Sequence, residues 1–179
     1  MSFFLRNLSK SDIELINKWR NDHDAQRGLV SPFRFVAEEV DERWFEAYLD
    51  GHANNIRLAI GDSDSHGVIG TVYLLNINWT ARSGEFGIWV GDKAWQGKGA
   101  GEFATRHMLC HAFADLNLRR VDLTVLANNE RAIRLYRKVG FIEEGCQRQA
   151  AFKNGEYVDL ILMAMLSSEY RHTESKAQA

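Results

Sequence analysis

Three glycines in five residues, Gly97, Gly99 and Gly101, stand where an alternating strand (Gly84 to Gly91) gives way to an amphipathic helix, and they restrict the fold more than any other feature. A strand that runs through such a turn into a helix presents unpaired backbone N–H groups and the positive helix end to an anion, with a pyrophosphate as the natural guest. Absent side chains let the anion come close. A plain tight connection would use the same glycines, so the loop by itself leaves both readings open.

Two familiar phosphate loops fail on spacing. A Walker loop has four residues between its first glycine and Gly-Lys, followed by Ser or Thr. Gly91 and Gly97 are separated by five, and Gly99 follows Lys98. A dinucleotide fingerprint wants a third glycine three positions after its second. With Gly97 and Gly99 as the first two, that position is Glu102.

The rest of the chain narrows the class. Its 179 residues suit one domain with a substantial core, and a net charge of −2 with interspersed signs shows no stripe for nucleic acid or a membrane surface. The longest apolar run, Leu160 to Leu166, is too short to span a bilayer, and Phe3-Phe4-Leu5 is too short for a signal segment. Cys110 and Cys146 lack metal or redox spacing and read as reduced residues of a cytoplasmic protein. His107 and His111 share a helix face, but no glutamate follows and no third ligand is in view, so they read as ordinary helix residues and no metal is expected.

Periodicity divides the chain. Ser2 to Leu8 reads as a strand, and Ser9 with Asp12 forms a capping-box pattern ahead of a helix bearing Ile13, Ile16 and Trp19. Ala37 to Asp50 reads as a second helix, with Val40, Trp44, Ala47 and Tyr48 on its apolar face and Gly51 as its stop. Ile56 to Gly61, Gly67 to Asn76 and Ser83 to Gly91 form an antiparallel meander. Its third strand sets Phe86, Ile88 and Val90 on a core face and Glu85, Gly87 and Trp89 on the other. After the helix Ala100 to Leu116, the strand Arg120 to Leu126 implies a parallel crossover. A helix Asn129 to Val139 and a hairpin turning at Asn154-Gly155 complete an α/β pattern with a mixed sheet. Residues 167–179 are polar, without periodicity, and read as a loose tail.

At this point the sequence resembles the GNAT superfamily of acyl-CoA N-acyltransferases. Gln96, Gly99 and Gly101 match its glycine-rich pattern, and Asn129, Ala132, Tyr136, Gly140 and Phe141 match its later Asn-x-x-Ala, Tyr, Gly-Phe pattern, in order and context from about Ile56 to Leu166. Gly155-x-Tyr157-x-Asp159 is similar to the branch of ribosomal-protein N-terminal, spermidine and nucleotide-aminosugar acetyltransferases. Trp19-Arg20-Asn21-Asp22, with Trp44, is similar to the aminosugar enzymes. The resemblance implies one domain over 1–166, with acceptor-side helices in 1–55 and an acyl-CoA-binding core in 56–166. It also implies a mostly antiparallel twisted sheet, flanked by helices and splayed at the cofactor.

It further implies acetyl-CoA as co-substrate, with direct transfer to a primary amine of a small molecule, a nucleotide-linked aminosugar or a polyamine, or of a protein N-terminus, by a monomer or homodimer. Gln96, Gly97, Lys98, Gly99, Ala100 and Gly101 would hold the diphosphate. The backbone of Ile88, Trp89 and Val90 would meet the pantetheine arm, as would Asn129, which also suits a helix N-cap. Lys98 and Arg134 could add phosphate contacts, though for either alone a solvated surface role is the commoner one. Tyr136 is implied as general acid for the coenzyme A sulfur, its competing role being a buried aromatic beside Ala132 and Val139. Glu85, projecting opposite Phe86 and Ile88, is the candidate base through a water, because a lysine-like amine has a pKa of about 10.4; an exposed strand carboxylate is the other reading. Arg20, Asn21, Arg34 and Trp44, with Phe152 or Tyr157, are candidate acceptor walls. An acyl-CoA-binding sensor without catalysis remains the alternative.

Overall fold

The computed structural model describes residues 2–171. Its seven strands are β1 (Phe3–Asn7), β2 (Ile56–Asp62), β3 (Val68–Asn78), β4 (Ser83–Trp89), β5 (Arg120–Leu126), β6 (Ile142–Lys153) and β7 (Glu156–Leu166). They form one sheet in the order β1-β2-β3-β4-β5-β7-β6. Every neighbouring pair is antiparallel except β4 and β5, the two strands that flank the crossover. The helices are α1 (Ile13–Arg20), α2 (Glu38–Asp50), α3 (Ala100–Cys110) and α4 (Glu130–Val139).

Each face of the sheet has its own core. On one, α3 and α4 pack Ala104, Met108, Ile133 and Tyr136 against Val72, Leu74, Phe86, Val121 and Leu123. On the other, α1 and α2 bring Ile13, Ile16, Trp19 and Phe45 onto Ala59 and Trp89. The β4 face that carries Glu85 is therefore apolar at its far end, where Trp89 meets Trp19 edge to face at 5.8 Å. The capping box forms: the Asp12 carboxylate accepts from the Ser9 backbone N–H at 2.8 Å, and Arg6 clamps it through two bonds of 2.7 Å.

Two local readings change. On α2 the inward residues are Asp41, Trp44, Phe45 and Tyr48, whereas Val40 and Ala47 are exposed. A carboxylate can replace an alkyl group there because Arg20 pairs with Asp41 while Asn17 donates to it at 2.8 Å, which offsets the cost of burying the charge. The helix begun at Ala100 ends in a π turn, His111–Asp115, closed by the Leu116 N–H on the His111 carbonyl at 3.0 Å. Of the tail read over 167–179, Ser167 donates to the Arg119 carbonyl at 2.9 Å and Tyr170 packs on Phe113 at 5.1 Å. Residues 172–179 lie outside the described residues.

Candidate active site

β4 and β5 pair only at Ser83–Arg120, Gly84–Val121 and Glu85–Asp122, then diverge. The parallel pairing stops at Glu85, yet β4 continues to Trp89 and β5 to Leu126. A V-shaped cleft of about 1420 Å³ opens between them. Main-chain groups on its two inner edges lose their ladder partners and become available to a ligand.

The glycine-rich loop closes one end. Gly97 and Gly99 have φ of +80° and +93°, in the left-handed region that glycine enters without strain. Gly99 precedes α3 directly, and its carbonyl accepts the Phe103 N–H at 3.0 Å, so the N–H groups between them are the helix-start donors without an intrahelical acceptor. Gly101 serves packing instead: a Cβ there would sit 3.3 Å from Leu135 Cδ2 of α4. Gln96 pins the loop, donating to the Val90 carbonyl at 3.1 Å while its Oε1 accepts from Arg131 at 3.0 Å. Gln96, Gly97, Gly99 and Gly101 line the cleft, as do Ile88, Trp89 and Val90. Ala100 turns its methyl into the core. The Lys98 ammonium lies over the Trp95 ring at 5.0 Å.

Tyr136 forms part of one wall. It is buried between Phe86 and Phe141, at centroid distances of 6.2 and 5.8 Å, and burial, with a smaller push from Tyr73, holds its pKa well above the ordinary tyrosine range. The phenol therefore keeps its proton at neutral pH. Glu85 lies where the V begins, exposed, accepting from Asn76 Nδ2 at 3.0 Å. Its register partner Asp122 has a raised pKa, chiefly from burial, which Arg120 partly offsets.

Asn129 caps α4 through the Ala132 N–H at 3.2 Å and extends Nδ2 to the Gly28 carbonyl at 3.0 Å. That second bond exposes a feature the sequence did not reveal. Residues 24–31, between α1 and α2, form a strap along the cleft, and side chains of three elements hold it by its carbonyls. Trp89 Nε1 donates to Ala25 at 3.0 Å, Asn129 to Gly28, and the buried Lys153 Nζ to Ser31 at 2.7 Å and Gln26 at 3.3 Å. Burial lowers the Lys153 pKa.

The residues expected to wall the acceptor are engaged away from the cleft lining. Arg20 pairs with Asp41, and Asn21 fixes Val36 by bonds of 2.9 and 3.0 Å. Trp44 stacks on Tyr48 and carries the Arg57 guanidinium at 4.9 Å. Arg34 is exposed and, like Arg20, Asn21 and Trp44, does not line the cleft. Phe152 and Tyr157 touch at 5.1 Å on the exposed β6–β7 hairpin. Arg134 lines the cleft and is paired with Glu130 at 2.9 Å. His107 and His111 are taken up within their own helix, by the Phe103 carbonyl at 2.8 Å and by Asp115 at 2.7 Å. Among the described residues no three His, Cys, Asp or Glu side chains are grouped to share a metal ion, and no helix is long and apolar enough to cross a membrane.

A splayed β4–β5 pair, a left-handed glycine turn into a helix and a buried protonated phenol thus share one cleft. A family model, the Acetyltransferase (GNAT) domain, matches residues 2–142. The chain belongs to this family. As a GNAT protein it is an N-acetyltransferase. A spermidine N(1)-acetyltransferase of Vibrio cholerae is 31% identical over 166 residues, covering 93% of this chain and 94% of that protein. A putative ribosomal N-acetyltransferase of Bacillus subtilis, YdaF, is 33% identical over 133 residues, covering 74% and 70% respectively. Among solved structures, spermidine N-acetyltransferase from Vibrio cholerae in complex with CoA and spermine superposes with a TM-score of 0.87 at 29% identity, over 94% of this chain and 97% of that one. The expected fold class agrees with that likeness.

Proposed function

We propose that this GNAT enzyme moves an acetyl group from acetyl-CoA to a primary amine of a polyamine, the two held together in a ternary complex. The observation that carries the reading is the shared cleft. Tyr136 lies on its wall, Glu85 at its apex and the glycine turn at its end. The loop amides receive the diphosphate, the free edge of β4 at Ile88–Val90 receives the pantetheine amides, and residues 1–55 supply the acceptor side.

The amine lone pair attacks the thioester carbonyl carbon, the C–S bond breaks, and the departing thiolate takes the Tyr136 proton. Glu85 accepts the proton lost by the amine, through a water. Holding the reactants side by side lowers the barrier by as much as about 7 to 11 kcal/mol, more than the acid or the base contributes singly. No covalent enzyme intermediate is needed.

A polyamine is favoured over other amines by the spermidine acetyltransferase likeness over nearly the whole chain. The test is thiol release from acetyl-CoA against polyamines, peptide N-termini, free amino acids and nucleotide-linked aminosugars. Spermidine or spermine should give the highest kcat/KM. A clear preference for a carboxylate-bearing or sugar amine would overturn the polyamine assignment. Binding of acetyl-CoA with no thiol release on any amine would overturn catalysis itself and leave a sensor.

A further inference from the structure

The register from β2 through β4 sets Arg57, Tyr73 and Gly87 in one row across the sheet, on the face that also carries Trp89. The last of the three has no side chain. A Cβ on Gly87 would lie 2.3 Å from Tyr73 Cε2 and 2.6 Å from Cδ2, so the tyrosine ring crosses β4 where a side chain would stand. It thereby reaches the strand edge that β5 has left. Tyr73 lines the same cleft as Tyr136 and Glu85.

What holds the ring there is a cation. The Arg57 guanidinium sits 5.3 Å from the Tyr73 ring centroid, with Trp44 at 4.9 Å and Tyr48 at 5.8 Å on its other sides. Its buried Nε has no hydrogen-bond partner among the described residues. Arg57 is thus seated by aromatic faces, which are worth more to a guanidinium in a desolvated position than in water. Trp44 contributes to the site at second hand, by backing Arg57, which backs Tyr73.

The two phenols of the cleft also feel each other. A charge on Tyr73 opposes ionisation of Tyr136, so their hydroxyls belong to one electrostatic neighbourhood. Tyr73 itself is held protonated by burial, with the Thr71 hydroxyl beside its oxygen. A neutral phenol there accepts a hydrogen bond without competing for the proton of the amine.

We propose that Tyr73 orients the acceptor: its phenol oxygen receives an N–H of the incoming amine and turns the lone pair toward the thioester beside Tyr136, with Gly87 leaving the space the ring requires. The assignment rests on the acetyl-transfer reading above and adds a residue to it. It does not depend on which amine is preferred.

The test uses whichever amine the acceptor panel shows to be turned over, so the wild-type rate tests the earlier reading and the variant-to-wild-type ratio tests this one. Tyr73→Phe keeps the ring, its packing on Arg57 and the fold. It should lower kcat/KM for the amine by about 10- to 100-fold, the loss of a hydrogen bond to a charged or reacting group, with KM for acetyl-CoA unchanged. Gly87→Ala should cause a comparable loss by displacing the ring, and should cost little when added to Tyr73→Leu, where there is no ring to displace. Amine kcat and KM both within twofold of wild type in Tyr73→Phe would overturn the proposal. So would a loss that falls equally on acetyl-CoA, which would place the phenol on the cofactor instead. Should Gly87→Ala fail to fold, the Tyr73→Phe result decides alone.

Discussion

The two sides of the cleft are built in opposite ways. The cofactor side, from β4 through the glycine turn and α3 to β5 and α4, is organised by neighbours in sequence: Gln96 reaches back six residues to Val90, and Asn129 reaches three forward to Ala132. The proposed acceptor side is held from afar. Trp89, Asn129 and Lys153 grip the strap across 64, 101 and 127 residues of chain. A site made of local backbone conformations leaves a motif in the sequence, because glycines and caps must stand at fixed offsets. A site made of distant donors on carbonyls leaves none, since any residue presents a carbonyl.

If the division is real, substitutions on each side should move different kinetic constants. The largest effect is expected from Tyr136→Phe, which removes the proposed acid: kcat should fall by about 10² to 10⁴, with acetyl-CoA affinity by calorimetry nearly unchanged. Turnover within threefold of wild type would return Tyr136 to a packing role. Gly99→Val comes next. A β-branched residue at φ +93° is strained and turns the loop amides away, so acetyl-CoA Kd should rise roughly tenfold or more while amine KM stays put. Equal damage to both constants would erase the boundary between the sides.

On the acceptor side, Lys153→Met removes the donors to Ser31 and Gln26. It should raise amine KM several-fold and lower stability by about 1 to 3 kcal/mol, read by chemical denaturation, without altering acetyl-CoA Kd. Burial lowers the lysine pKa, so its charge is disfavoured in the fold and its cost falls as pH rises; the stability gap between wild type and variant should widen toward alkaline pH. A gap that narrows would contradict that sign. The smallest effect concerns the pH profile. Because burial raises the Tyr136 pKa, the acid stays loaded, and kcat should show no falling limb attributable to it below about pH 10. A limb below that pH which vanishes in Tyr136→Phe would show an unshifted phenol.

The same contrast explains what could be read in advance. Strand alternation, the Asn154-Gly155 turn and the stripes of α3 and α4 placed nearly every element within a residue or two, because each is written in a short window. Of the residues expected at the cofactor, Gln96, Gly97, Gly99 and Gly101 line the cleft. The residues expected as acceptor walls, Arg20, Asn21, Arg34 and Trp44, do not line it. Arg20 and Trp44 look like binding groups in a polar stretch, yet one pairs with a buried Asp41 and the other backs Arg57. Val40 and Ala47 fitted an apolar helical period that α2 gives up to seat that same aspartate. Tyr73 left one legible trace, a glycine at 87 in an otherwise filled strand, whose meaning depends on the β3–β4 register. Lys153 left none, because a lysine before a hairpin turn ordinarily faces water.

The most direct measurement is a crystal structure of the enzyme with coenzyme A. The proposed mode of binding puts the diphosphate on the N–H groups around Gly97 to Gly101, the pantetheine arm along the free edge of β4, and the sulfur within hydrogen-bond reach of the Tyr136 hydroxyl. A carrier bound outside the β4–β5 opening, or a sulfur turned away from that phenol, would contradict it.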